Sequence, residues 1–143
     1  MNKILAFAAL LLLVGCSQQP AEQQLNVYNW SEYIPHELVQ QFSQETGIKV
    51  NYATYESNEA MYAKIKLMDG KGYDIAVPST FYVEKMRKEG LIQPIKKDLL
   101  SNYGNLDANM MNKPYDPNND FSVPYLWGAT SIAVNGNDVD ASQ

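Results

Sequence analysis

Residues 48–78 read IKVNYATYESNEAMYAKIKLMDGKGYDIAVP, and this stretch decides the fold. It opens on alternation: Ile48, Val50 and Tyr52 are apolar or aromatic, with Lys49 and Asn51 between them, which is the period of a strand. Ser57 or Asn58 can then cap a helix whose apolar stripe is Met61, Ile65 and Met68. Gly70 or Gly72 ends that helix, and residues 73–77 form a further strand stopped by Pro78. Two strands joined through a helix need a crossover, so they are expected to pair in parallel with right-handed connections.

The same alternation extends in both directions. Upstream, residues 25–29 are β-prone, and Pro35 fits the first turn of a helix with Leu38, Val39 and Phe42 on one face and Gly47 as its stop. Downstream, Ser79 or Thr80 caps a helix in which Tyr82, Val83 and Met86 face inward, ended by Gly90. The β-α-β-α-β-α order predicts an α/β fold, a mostly parallel sheet flanked by helices on both faces. After Leu91 the periodicity weakens. Residues 97–103 read as a short helix, 105–120 as turns rich in Asn, Asp and Pro, and 121–125 and 130–135 as extended chain.

Composition narrows the function classes. The chain has 143 residues, a single domain's worth, with 11 Lys+Arg against 16 Asp+Glu and a net charge of −5. That balance excludes a general nucleic-acid binder, which needs basic surface to neutralise phosphates. One Cys excludes an internal disulfide or a multi-thiolate zinc site, and one His excludes paired-His metal motifs, so no metal or cofactor is expected. His36 reads as a solvated residue on the first helical turn. No G-x-S-x-G, H-E-x-x-H or G-x-x-x-x-G-K-[ST] motif occurs and no nucleophile–base pair is visible, so the chain is not expected to be an enzyme. Tyr, at 10 residues, is in excess.

Residues 1–14, MNKILAFAALLLLV, place Lys3 before an apolar run too short to span a hydrocarbon core of ~30 Å. They fit the apolar region of a secretory signal. Leu13-Val14-Gly15-Cys16 resembles the lipobox of bacterial lipoproteins. That resemblance implies cleavage before Cys16, lipid on its thiol, and a membrane anchor outside the cytoplasm. A plain signal with an incidental Cys is the alternative. The expected organisation is a signal peptide over 1–15, a polar tether over 16–24 and a folded α/β domain over 25–143.

In open parallel sheets, ligands bind beyond the carboxyl ends of the strands, at a switch in strand order. Two loops qualify: 29–33, with Trp30, Ser31, Glu32 and Tyr33, and 78–82, with Ser79, Thr80 and Phe81. Ring faces attract ammonium groups and cover methylenes, while hydroxyls and a carboxylate accept hydrogen bonds from amines. A ligand with amines at the ends of an alkyl chain fits all three properties. Each residue also has a plainer reading: Trp30 as a core aromatic, Tyr33 as a staple, Ser79 as a cap, Asp74 as a satisfied strand polar group. The helix start at Ser79 would alternatively suit an anion.

Seven blocks in order, YNWSEY (28–33), ETGIKV (45–50), YESNE (55–59), YDIAVPST (73–80), KMRKEG (85–90), NKPYDPNN (112–119) and PYLWGAT (124–130), resemble the N-terminal part of periplasmic spermidine/putrescine-binding proteins of polyamine ABC transporters. The resemblance implies a periplasmic binding protein-like fold of type II, with two lobes closing on the ligand by hinge motion. It implies that Trp30 and Tyr33 line an aromatic box, that Ser31 and Glu32 contact amines, and that Ser79 and Phe81 face the cleft. Phe81 stands where the family often has Tyr. Residues 127–135 resemble the crossover toward the second lobe. The implied partners are a polyamine and the transporter permease, with the protein monomeric and held at the membrane through Cys16. Because the resemblance spans only a first lobe, with the second lobe missing, the chain is expected to be an N-terminal fragment that binds weakly by itself. Another small amine or an anion bound by the same fold is the alternative.

Overall fold

β1 (Gln24–Trp30) carries three consecutive buried residues, Val27, Tyr28 and Asn29, the signature of a central strand in a parallel sheet. The computed structural model describes residues 22–135. Cys16, the signal segment and most of the tether lie outside the described residues. Glu56 and the described residues before it form one compact unit together with Lys71–Ala76; Ser57–Gly70 and the described residues from Val77 onward form a second.

The first unit holds a three-stranded sheet in the order β2-β1-β3, with β2 spanning Lys49–Tyr55 and β3 spanning Ile75–Ala76. Both pairings are parallel, and β1 and β2 run in register from Gln24↔Lys49 to Trp30↔Tyr55. The strand starts one residue inside the expected tether, because the polar residues there have partners. Gln23 O accepts the Lys49 N–H at 2.9 Å, and Gln24 Oε1 accepts from Asn51 Nδ2 at 3.0 Å.

α1 (His36–Thr46) follows Pro35, whose fixed φ starts the turn and whose carbonyl accepts Leu38 N–H. It ends at Gly47, whose φ of 71° lets its N–H reach Ser43 O at 2.9 Å. α1 packs against β2. Its apolar face is less covered than the pattern suggests: Leu38 is 55% and Phe42 39% exposed.

The third strand is much shorter than residues 73–77. Asp74 is the reason: its Oδ2 accepts both the Asn26 N–H at 2.7 Å and Asn26 Nδ2 at 3.0 Å, so a side chain takes the donor that a strand carbonyl would otherwise accept. Asp74 is thus a satisfied polar group, and regular pairing is confined to Val27↔Ile75 and Tyr28↔Ala76.

In the second unit, α2 (Asn58–Leu67) is capped by Ser57, whose Oγ accepts Ala60 N–H at 3.2 Å. Met61 and Ile65 are buried, whereas Met68 sits at the C-cap and is 37% exposed. α3 (Thr80–Lys88) buries Val83 and Met86, and the two helices touch. On their shared surface the Tyr62 hydroxyl donates to Glu89, Lys66 bonds both, and Lys85 lies 4.0 Å from the Tyr62 ring centroid. Hydrogen bonds from Lys66 and Tyr62 hold the Glu89 carboxyl below its ordinary range. Tyr62 therefore anchors an ionic network.

Residues 97–103 form no α-helix. Two short 3-10 turns, Lys97–Leu99 and Tyr103–Asn105, stand there, and a third spans Ala108–Met110. Leu99 is 71% exposed, so no apolar stripe sustains a longer helix. The turn-rich stretch beyond is a buried polar knot: Asp116 and Asn119 are 2% and 1% exposed. Residues 123–135 carry no regular element.

Candidate functional site

β1 is the strand about which the order reverses, with β2 on one side and β3 on the other, so its carboxyl end is the switch point. Trp30 closes β1 opposite Tyr55, the last residue of β2. The wholly buried Asn29 turns the chain there, its Oδ1 accepting the Trp30 N–H at 2.8 Å. Tyr52 Oη lies 3.5 Å from the Trp30 carbonyl.

Ring contacts run without a break through this unit. Tyr33 and Trp30 centroids are 6.0 Å apart, Trp30 and Tyr55 4.8 Å, Tyr55 and Tyr28 4.8 Å, and Tyr28 stacks on Tyr73 at 4.4 Å. Each such pair contributes about 0.5–1.5 kcal/mol beyond burial, so the sheet interior holds Trp30 rigidly. Four of the ten tyrosines, Tyr28, Tyr33, Tyr55 and Tyr73, belong to this run. The spacing also limits what Trp30 and Tyr33 can do. A methylene between two ring faces needs two contacts of ~3.5–4.0 Å, more than 6.0 Å offers, so a chain would lie across the pair and not inside it.

Beyond Trp30, the half-buried Ser31 donates its hydroxyl to Glu56 Oε1 at 2.6 Å. Glu32 follows with φ 63°, a left-handed conformation that L residues seldom adopt and that accumulates at binding sites. Glu32 and Tyr33 are exposed. Tyr55, buried beneath the loop, has its phenol pushed well above the ordinary range, first by desolvation and then by its neighbours Tyr33, Tyr28 and Tyr52. It stays neutral across the physiological range.

Trp30, Ser31, Glu32 and Tyr33 are thus brought together with two residues that sequence reasoning passed over, Tyr55 and Glu56. The signal was available: parallel strands in register end side by side, so residues 31 and 56 emerge as neighbours once β2 is paired with β1.

Ser79 and Phe81 stand in the second unit. Ser79 precedes α3 without a side-chain capping bond. Instead Asn58 grips it twice: Asn58 Oδ1 accepts the Ser79 N–H at 3.0 Å, and Asn58 Nδ2 donates to Ser79 Oγ at 2.9 Å. An amide that an anion would need at this helix start is therefore engaged. Phe81 is 71% exposed, edge-on to Tyr82 at 5.5 Å. His36 is exposed, its Nε2 3.0 Å from Gln40 Nε2. Among the described residues no three His, Cys, Asp or Glu cluster as metal ligands, and no helix is long and apolar enough to cross a membrane.

The model of the bacterial extracellular solute-binding protein family matches residues 29–141. The spermidine/putrescine-binding periplasmic protein of Escherichia coli K12 is 57% identical over 137 residues, covering 96% of this chain and 39% of its own length. The putrescine-binding periplasmic protein of Pseudomonas aeruginosa is 41% identical over 133 residues, 91% of this chain and 36% of its own. The solved spermidine/putrescine ABC transporter substrate-binding protein of Streptococcus pneumoniae superposes with a TM-score of 0.71 at 47% identity, over 74% of this chain and 32% of that one. The chain thus spans well under half the length of these relatives, and the shared fold is periplasmic binding protein-like. With a family match from the end of β1 nearly to the last residue, the chain belongs to the bacterial extracellular solute-binding proteins.

Proposed function

We propose that this chain supplies the first lobe of an extracytoplasmic polyamine-binding component of an ABC importer, one that captures spermidine or putrescine and delivers it to a permease. The observation that carries the reading is the carboxyl end of β1, where the ring pair Trp30–Tyr33 borders two exposed carboxylates, Glu32 and Glu56. Rings cover the methylenes of a polyamine and carboxylates face its ammonium groups. Relatives named for the same ligands support it. In this reading Trp30 and Tyr33 shelter the alkyl chain and Ser31 and Glu32 accept from amines. By itself, the second unit offers a hydroxyl at Ser79 and an exposed ring at Phe81 for the same ligand chemistry. Ser79 Oγ keeps a second lone pair for an ammonium.

Calorimetry of the 143-residue chain with spermidine, putrescine and sulfate tests this. Polyamines are expected to bind weakly and sulfate not at all, and Trp30→Ala abolishes the polyamine heat. Sulfate binding that outcompetes spermidine would overturn the reading in favour of an anion.

Cys16 is proposed as the lipid anchor of a periplasmic lipoprotein. Labelled palmitate incorporated into the wild type and lost in Cys16→Ala is the expected result. Equal labelling of both would refute it.

A further inference from the structure

We propose that Glu56 is a positioning residue for amine recognition, acting through Ser31; the assignment rests on reading this loop as an amine site. The two residues leave the carboxyl ends of register-paired strands, Ser31 after Trp30 and Glu56 after Tyr55. Their oxygens lie 2.6 Å apart. An ionised carboxylate can only accept, so at that distance the Ser31 proton points at Glu56. The hydroxyl oxygen then presents only lone pairs to anything approaching from the loop. A hydroxyl free to rotate could meet a ligand as donor or acceptor. This one is fixed as an acceptor, which suits an ammonium N–H and rejects a carbonyl or an anion. The buried Tyr55 ring under Trp30 and the buried Asn29 amide on its N–H keep both strand ends in place, so the pair is held by the sheet and not by loop packing.

A role through Ser31 differs from mere negative charge in what it demands of the ligand. Putrescine carries N–H donors; its fully N-methylated bis-quaternary analogue carries the same charge and none. The test uses the full chain with Trp127→Phe, which leaves Trp30 as the one tryptophan. Trp30 fluorescence is followed at ~0.15 M salt, with ligand taken high enough to saturate a site of about millimolar Kd. Glu56→Ala is expected to weaken putrescine about tenfold, the worth of one hydrogen bond on top of a screened charge, and the quaternary analogue by about twofold at most, the worth of that screened charge alone. In a Ser31→Ala background the same substitution costs putrescine no more than that charge effect, since its intermediary is gone. Glu56→Gln, nearly isosteric, follows the same pattern at smaller size and guards against a folding artefact.

Equal weakening of putrescine and the quaternary analogue, or losses at residues 31 and 56 that simply add, would reduce Glu56 to background charge and overturn the proposal. Unchanged putrescine binding in Glu56→Ala, with the wild type responding, overturns this assignment alone. A wild type silent to both ligands overturns the amine-site reading and this assignment with it.

Discussion

Replacing Asp116 should damage this chain more than any other surface-composition argument would suggest. The residue sits in a stretch of Asn, Asp and Pro, yet its side chain is a buried acceptor hub. Oδ1 takes the Asp120 N–H at 3.1 Å; Oδ2 takes the Phe121 N–H at 2.9 Å, the Ser122 N–H at 2.8 Å and the Ser122 hydroxyl at 2.8 Å. Asn119 completes the knot, its Oδ1 accepting Asn112 N–H at 2.7 Å and its Nδ2 donating to Ser122 O at 3.2 Å. Asp116→Ala strands three amides and a hydroxyl. Hydrogen bonds to a charged group are each worth about 1.5–3 kcal/mol, but half-buried amides recover part of that from water, so a net loss of about 3–5 kcal/mol is expected. Asp116→Asn keeps one carbonyl oxygen for the three donors on the Oδ2 side and turns an NH2 against the Asp120 amide. One donor–donor conflict and lost charge assistance put its cost near ~2 kcal/mol. Urea unfolding followed by circular dichroism measures both. Amide exchange at Phe121 and Ser122 should accelerate about tenfold or more in the Asn variant, as ~1.4 kcal/mol or more requires. An Asn variant within ~0.5 kcal/mol of wild type, or an Ala variant no worse than the Asn one, would refute the hub.

Other perturbations separate neighbouring causes. Gly70 and Gly47 both have positive φ, 69° and 71°, but a Cβ at Gly70 would lie 2.9 Å from the Leu91 carbonyl oxygen while one at Gly47 meets nothing within 4 Å. Gly47→Ala should cost about 1 kcal/mol and Gly70→Ala about 2–4 kcal/mol in the same unfolding assay; equal costs would mean that backbone strain alone acts. Tyr55, with its phenol pushed up by burial, resists ionisation in the folded state. Its contribution is complete below the unfolded tyrosine pKa near ~10 and is lost as pH rises, so Tyr55→Phe should flatten the alkaline limb of the stability curve. A mutant as alkali-sensitive as wild type would contradict this. Lys97 beside Asp120 holds that carboxyl below its ordinary value, a contribution present above ~3.9 and lost as pH falls. Lys97→Met should therefore reduce the acid dependence of unfolding as pH falls below the ordinary Asp value near ~3.9, and an unaltered profile would exclude the pair from acid stability.

How much of this was legible follows from the range of each interaction. Helix stops at Gly47 and Gly90, the Ser57 cap and the buried Met61, Ile65, Val83 and Met86 depend on neighbours a few residues away, and periodicity finds them. The third strand shrank because Asp74 reaches Asn26, a partner 48 residues distant that no local pattern announces. Residues 112–122 looked like turns because turns and side-chain knots share Asn, Asp and Pro. What distinguishes them is closure, helped by Asn112 and Asn119 adopting φ of 56° and 51°, which Asn tolerates better than most residues. At the candidate site, loop chemistry singles out residues 29–33 from the chain alone. Glu56 needs one step more, since residues 31 and 56 become neighbours only once β2 is paired in register with β1, and no local pattern supplies that register.

That spatial order bears on binding strength. Two unit charges 4 Å apart attract by about 1 kcal/mol in water but by about 4 kcal/mol at a partly buried protein surface. Glu32 and Glu56 are exposed, so their attraction for a di- or tricationic ligand lies toward the lower figure and is further screened by salt. Ring contact adds a cation–π term of roughly 0.5–1 kcal/mol at an exposed site. Such sums do not exceed the 4.1 kcal/mol that a Kd of ~1 mM represents, even before the cost of ordering a flexible ligand is subtracted. The same groups would gain severalfold if a second surface excluded water from them, because the Coulomb and ring terms rise together as the dielectric falls. A rigid, pre-oriented but open site of this kind gains most from any closure over it. On the proposed reading, its residues would select an ammonium through ring faces and an oriented hydroxyl, while exclusion of water would set how tightly it is held.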